Sequence, residues 1–265
     1  MRIQVDHRLL ARRSAVRKEE GRSRLRRLSW GLAGAGLAAG AVGLLLSPLL
    51  DVDAIRVAGV ARTGEATVLD ALGIHPGQAM ALVDSEEATQ AVMALPWVER
   101  ATVDRDWPGT VVVSIDERRP ELAVASLDGR FTLVDGTGRQ LAAVEQPQAG
   151  VPLLEGLAVE PRPGAVLDEA GGALAVVAAL PSSVSSRVSR LSVRQEGVTL
   201  GLRGVGGGEA GGEDEGPEAE VVLGPPTDLP AKVLALATLL DGADLTGLRR
   251  VDLRVPAAPV LTRGP

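Results

Sequence analysis

Cysteine and tyrosine are absent from the 265 residues, phenylalanine occurs once, and histidine twice. Without thiols there is no disulfide framework and no soft-metal site to expect, and redox chemistry says nothing about compartment. The usual nucleophiles and proton shuttles are equally scarce. Neither a Gly-x-Ser-x-Gly elbow nor a His-Glu-x-x-His helix occurs; His7 lies in a basic leading stretch, which leaves His75 alone in the rest of the chain. An enzyme built from this sequence would have to work with carboxylates alone. What the chain does have is an apolar fraction of 45%, enough to bury a core and room for one or two domains.

Charge is divided along the chain. Residues 1–29 carry ten Arg or Lys against Asp6, Glu19 and Glu20, a balance of +7, so the net −6 of the whole leaves −13 for the remainder. Such a short tail without aromatics has no base-reading element, so nucleic acid is not expected as a partner. Next to it lies "LSWGLAGAGLAAGAVGLLLSPLL", uncharged throughout. Its residues 30–50 would make about 31 Å of helix, against a hydrocarbon core of about 30 Å. The sequence therefore predicts a single-pass anchor over 29–50, with residues 1–28 cytoplasmic by the positive-inside rule and everything after Asp51 outside, and with the membrane itself as a partner. Trp30, Gly36, Gly40, Leu44 and Leu50 are its candidate anchor residues. Gly36 and Gly40 form a Gly-x-x-x-Gly pair suited to helix approach, although an Ala-Gly tract produces such a pair by composition alone. Cleavage after Ala39-Gly40-Ala41 would leave "VGLLLSPLL" as an apolar terminus, so the uncleaved anchor is the expectation.

Beyond the anchor, residues 51–120 read as β-α-α-β-β. "VDAIRVAGV" alternates as a strand. "TGEATVLDALG" has helical spacing at Val68, Leu69 and Leu72, with Thr63 as cap and Gly73 as stop. "DSEEATQAVMAL" opens on Asp84 with Glu87 three residues later, a capping-box pattern, and carries Ala88, Val92 and Leu95 on one face. Two alternating strands follow, with Ala101 and Val103, then Val111, Val113 and Ile115, on their apolar faces. Between them, Pro108 and Gly109 suit a type II turn with positive φ at the glycine, and Trp97 and Trp107 are large enough to seal the sheet against the helices. Asp104 and Asp106 resemble an acid pair, but on the solvent side of a strand beside Arg100 and Arg105 they read as a hydrated face.

These elements, with "IRVAGV", "ALGIHPGQAM", "LPWV" and "WPGTVVVSIDERRP" in that order, resemble the polypeptide-transport-associated (POTRA) domain of FtsQ/DivIB-type cell division proteins, single-pass scaffolds of the bacterial division machinery. The implied fold is α+β: a cytoplasmic tail, one membrane helix, the POTRA domain, then a β-rich domain with two helices over 121–262.

Residues after Pro120 fit that second domain. "ELAVASLDGRFTLVDGTGRQLAAV" reads as a three-stranded meander turning at Asp128-Gly129 and at 135–138. "PLLEGLAVEPRPG" reads as a loop, and "DEAGGALAVVAALPSSV" as a helix ended by Pro181. Strands in "VSRLSVRQEGVTLGLRG" and "AEVVLG" precede a helix in "TDLPAKVLALATLL", with Thr227 or Asp228 as cap and Leu234, Leu236, Leu239 and Leu240 as its apolar positions. "RRVDLRV" then matches the family's closing strand. The insertion at 204–219, rich in glycine with five acidic residues between Glu209 and Glu218, departs from the family's tight hairpin and predicts a disordered acidic loop. Its acids would repel phosphate, and their spacing does not suit calcium.

The resemblance implies a non-catalytic scaffold that binds FtsB- and FtsL-type partners at the division septum and, through them, helps control the septal peptidoglycan synthase. No cofactor, metal or small-molecule substrate is expected. The alternative class is an exported or anchored cell-envelope hydrolase or ligand-binding protein. The family's use of its C-terminal region makes Arg249, Arg250, Val251, Asp252, Leu253, Arg254 and Val255 the candidate partner-binding residues. Read as a final strand with nothing obliged to cover it, this segment is either an ordinary terminal strand kept short and charged or a docking edge, ended by Pro256 and Pro259, whose arginines meet acidic residues of an added strand; the resemblance favours the docking edge.

Overall fold

In a computed structural model, residues 28–194, 197–203, 218–242, 245 and 247–264 are described. The basic tail except Leu28 and most of the acidic insertion lie outside the described residues. By packing, the described residues fall into two compact units: one holds those up to Ala58 with Leu72–Ala88 and Thr102–Ser114, the other holds Gly59–Ala71, Thr89–Ala101 and those from Ile115 onward.

The first unit begins with α1, Leu28–Leu45, the one helix among the described residues long and apolar enough to cross a membrane. It stops short of the expected Leu50. Pro48 has no N–H to continue the ladder and its ring would clash with the carbonyl of residue 44. That carbonyl is capped instead by the Ser47 N–H at 3.1 Å and the Ser47 hydroxyl at 2.7 Å, and the chain turns once in a 3-10 helix, Pro48–Leu50, before Asp51. Strand β1 (Ala54–Ala58) pairs in parallel with β3 (Thr110–Glu117), Ala54 opposite Thr110. The small sheet has the order β1-β3-β2, with β2 at Val98–Asp106.

Helices α2 (Glu65–Leu72) and α3 (Ser85–Met93) occupy the two expected places. Asp84 caps α3, its carboxylate accepting from the N–H groups of Glu86 and Glu87 at 3.0 Å each. Thr63 does not cap α2: the helix starts at Glu65, which puts Gly64 at the cap position, and the Thr63 hydroxyl donates to Glu117. Most of the expected apolar positions are buried: Val68, Leu72, Ala88, Val92, Ala101, Val103, Val111, Val113 and Ile115 are each under 9% exposed, while Leu69 and Leu95 are half-buried.

The β2–β3 turn differs from expectation in two respects. The Trp107–Pro108 peptide is cis and Gly109 is not at positive φ, so this is not a type II turn. Gly109 is required for space: a Cβ there would run into the Asp53 carboxylate and lie 2.9 Å from the Asp51 carbonyl oxygen. Trp107, at the tip, is 46% exposed and seals nothing. Trp97 packs against Ala123, Leu133, Leu141 and Val151, with Arg62 stacked 4.9 Å from its ring centre.

In the second unit a nine-stranded sheet runs β12-β11-β10-β9-β8-β7-β4-β5-β6. The meander is present as β4 (Pro120–Ser126), β5 (Phe131–Asp135) and β6 (Gln140–Val144). The expected loop at 152–164 is largely a strand, β7 (Leu153–Val159), parallel to both β4 and β8. Gly156, at φ +85°, lets β7 bulge, so its pairing with β4 jumps from Leu154 to Ala158. That extra backbone breaks the alternation that would have revealed a strand. Strands β8 (Val188–Arg194), β9 (Gly197–Leu202) and β10 (Ala219–Gly224) follow in antiparallel order.

One face of this sheet is covered by α4 (Gly171–Ala179), the single turn α5 (Ser182–Ser185) and α6 (Leu229–Gly242). Beneath them lies the main core, including Leu191, Leu200, Leu202, Val221, Leu223, Leu236 and Leu253. Within α6, Leu234 faces water at 69% exposure, whereas Lys232 is buried with its ammonium donating to the Pro225 carbonyl at 2.7 Å. The expected Leu234 therefore takes no core-side position, and Lys232 takes one, a turn before Leu236, where the leucine spacing places nothing. Its aliphatic stem packs and its charge finds a partner.

Candidate functional site

The candidate segment begins in β11 (Leu248–Asp252), parallel to β10 with Val251 opposite Val221. It is not the edge. A further strand, β12 (Val260–Arg263), folds back antiparallel on it, with Val251 opposite Leu261 and Asp252 opposite Val260. Pro256 and Pro259 do not terminate the sheet; they lie in the connection between the two strands. Strand β12 was invisible to periodicity because all four of its residues are exposed, so it has no buried face to alternate with a polar one.

The seven candidate residues divide by role. Val251 and Leu253 are buried in the main core. Arg250 reaches across to Glu220, its in-register neighbour on β10, at 3.1 Å. Asp252 accepts from the Arg254 backbone N–H at 3.0 Å and from the guanidinium at 2.6 to 3.0 Å, a local turn that ends the strand. The Arg254 hydrogen bonds hold the Asp252 carboxyl below its ordinary range. Arg249 is exposed and lies against Gly264, while Val255 is 59% exposed in the β11–β12 connection. Two of the three arginines expected to meet a partner's acids thus already hold acids of their own chain.

What remains open is β12. No strand flanks its outer side among the described residues, Val260 is 60% exposed and Leu261 37%. An unpaired edge with apolar side chains is the arrangement to which another chain can add a strand, its main chain supplying affinity and its side chains specificity. Beside it, on the sheet face without helices, Glu155, Arg190, Ser192, Thr199, Glu218 and Arg249 line a shallow polar depression of about 280 Å³. Arg190 is shared there between Glu155 at 3.5 Å and Glu218. One guanidinium thus serves two carboxylates. Among the described residues no cluster of three or more His, Asp or Glu is placed to hold a metal ion.

Two carboxylates tie separate segments of the second unit together. Glu117, at the end of β3, accepts from the N–H groups of Ala61, Arg62 and Thr63 and from the Thr63 hydroxyl at 2.8 to 3.1 Å. Asp135 accepts from the Thr137 N–H and hydroxyl and the Arg139 N–H, and from Arg118 at 2.6 Å. Burial raises both carboxyls, yet their donors together hold each below its usual range: Thr63, Arg62 and Ala61 for Glu117, and Thr137, Arg118 and Arg139 for Asp135.

The anchor residues Trp30, Gly36, Gly40 and Leu44 all lie on α1 with open surroundings; Leu50 lies past its end.

Comparison with known proteins agrees with this architecture. The family described as "POTRA domain, FtsQ-type" matches residues 50–118. The cell division protein FtsQ of Streptomyces bingchenggensis is 33% identical over 244 residues, covering 88% of this chain and 84% of its own. That of Streptomyces collinus is 30% identical over 84% of this chain and 82% of its own, and that of an Anaeromyxobacter species 30% identical over 77% and 66%. With a membrane-competent helix, an FtsQ-type POTRA domain and a helix-backed sheet in one order along the chain, the protein belongs to the FtsQ family of cell division proteins.

Proposed function

We propose that the protein is a non-catalytic scaffold of the division septum, anchored in the cell membrane as a single-pass type II protein with its basic tail in the cytoplasm. In this reading residues 51–120 form the POTRA domain and 121–262 the partner-binding domain. An FtsB-type partner, with its FtsL-type companion, docks at the C-terminal end of the large sheet, and the septal peptidoglycan synthase is controlled through them. The observation that carries this reading is the open β12 edge in a chain of the FtsQ family. The surrounding candidate residues support that edge rather than forming it: Val251 and Leu253 anchor β11 in the core, and Arg250 and Arg254 stiffen its charged face.

A photo-crosslinking residue placed at Val260 tests it in the intact chain. Capture of the FtsB-type partner at Val260, and its absence from a probe at Leu234 on the helix side, is the expected result. Undiminished pull-down of that partner with no capture at Val260, Leu261 or Val255 would place the docking surface elsewhere. Removal of residues 260–265 should abolish pull-down while thermal unfolding of the remaining chain stays cooperative.

A further inference from the structure

Trp107 is an unexpected place for the largest side chain: the tip of a hairpin, 46% exposed, among aspartates. Within the first unit its position is fixed by three ties. The Gly109 carbonyl accepts from the N–H groups of Asp53 at 2.7 Å and Ala54 at 3.1 Å, which sets the tip beside the start of β1. Asp51 bridges to Ala79, and the Val52 N–H donates to Gln78 at 2.8 Å, which brings the turn at Met80–Leu82 to the same place. Arg105 donates to the Val83 carbonyl at 3.3 Å and joins that turn to the hairpin. All three segments therefore meet at residues 51–54, the first extended residues after the membrane helix.

The bilayer surface is close by. Helix α1 supplies 18 residues, about 27 Å, and the apolar run continues through Leu46, Leu49 and Leu50, so a hydrocarbon core of about 30 Å ends near Pro48–Leu50. Asp51 follows at once. The headgroup layer is about 5–7 Å deep on each side, and indole rings concentrate there because they are apolar in body and polar at one edge. Leu49, two residues before Asp51, is 77% exposed, and Leu82, in the turn that the Asp51–Ala79 bridge and Arg105 tie to the hairpin, is 67% exposed. Trp30, 74% exposed, takes the corresponding place at the other end of the helix.

We propose that Trp107, with Leu49 and Leu82, forms a lipid-contacting tip that seats the first unit on the outer surface of the bilayer. The occupant is the headgroup region of the membrane that α1 crosses, continuous with the lipid surface of that helix; the proposal rests on α1 spanning the bilayer. The contact is apolar. Asp51 and Asp53 lie against Gly109 of the turn and Asp104 and Asp106 lead into it along β2, so anionic lipid should weaken the seating rather than strengthen it.

Tryptophan fluorescence of the full chain in phosphatidylcholine vesicles, with acyl chains brominated near the headgroup, tests this. W30F leaves Trp97 and Trp107 as reporters, and W30F/W107F leaves Trp97 alone. We expect lipid quenching in W30F, its loss in W30F/W107F, and its decrease in W30F as anionic lipid is added. Equal quenching in the two variants, with iodide in the water reaching Trp107, would overturn the proposal and leave the tip to a protein partner. W107F separates the two assumptions, since Trp30 stays quenched there if α1 spans the bilayer and loses quenching if it does not.

Discussion

Arg118 and Asp135 meet at 2.6 Å with side chains 16% and 5% exposed, whereas Arg100 and Asp116 form their 3.3 Å pair at 72% and 67% exposure. The difference decides what each is worth. An exposed pair is screened and contributes about 0–1 kcal/mol, while removing one partner of a buried pair strands the other and costs about 3–5 kcal/mol. Asp135→Ala is therefore expected to lower the unfolding free energy by about 3–5 kcal/mol and Asp116→Ala by less than about 1 kcal/mol, as read from denaturant unfolding. Glu117→Gln weakens acceptance from three consecutive N–H groups and should cost about 1–3 kcal/mol. Acid sensitivity follows from the same residues. Both carboxyls are held below their unfolded values, so their stabilisation is complete above the ordinary carboxyl range, about pH 4, and is lost as the pH falls through the depressed folded values. The wild-type melting temperature should drop over that acid range, and Asp135→Asn should flatten the drop.

At the scale of elements, the β9–β10 connection offers the sharpest test. Leu202 pairs with Ala219, so Arg203 and Glu218 already face each other across the start of a hairpin. Ala219 is fully buried and Glu218 binds Ser189 and Arg190, which excludes both from the insertion read at 204–219. Replacing residues 204–217 by Asn-Gly should leave the melting temperature about unchanged, because closure entropy grows only slowly with loop length. Extending the deletion through Glu218 should destabilise the chain by breaking its pairing with Arg190. These elements also show where sequence reading works. Asp84 and its helix were legible because a cap acts within three residues, and Val111, Val113 and Ile115 because alternation is local. Strand β7 was hidden by the Gly156 bulge, and β12 by the lack of any buried residue. The pairings of Arg250 with Glu220 and of Arg118 with Asp135 join residues far apart in sequence, which no spacing rule reports.

For the molecule as a whole, the division of charge predicts an orientation for the proposed anchor: +7 over residues 1–29 and −13 beyond, on either side of an uncharged helix. A reporter fused after Pro265 should be active only outside the cytoplasm, and the intact chain should keep its full mass in the membrane fraction; a soluble fragment beginning near Val42 would argue for cleavage. The order of the large sheet has a consequence in time. From β7 to β12 each strand lies beside its predecessor, so the sheet can lengthen one strand at a time as translation proceeds, and its open edge moves outward with each addition. Strand β12 leaves the ribosome after every other strand of that sheet. A chain interrupted before residue 260 would carry the anchor and most of the core, yet would present the wrong edge. If β12 is the docking strand, recruitment itself distinguishes chains translated through Arg263 from shortened ones, and the septum is protected from scaffolds that can occupy the membrane but cannot engage a partner.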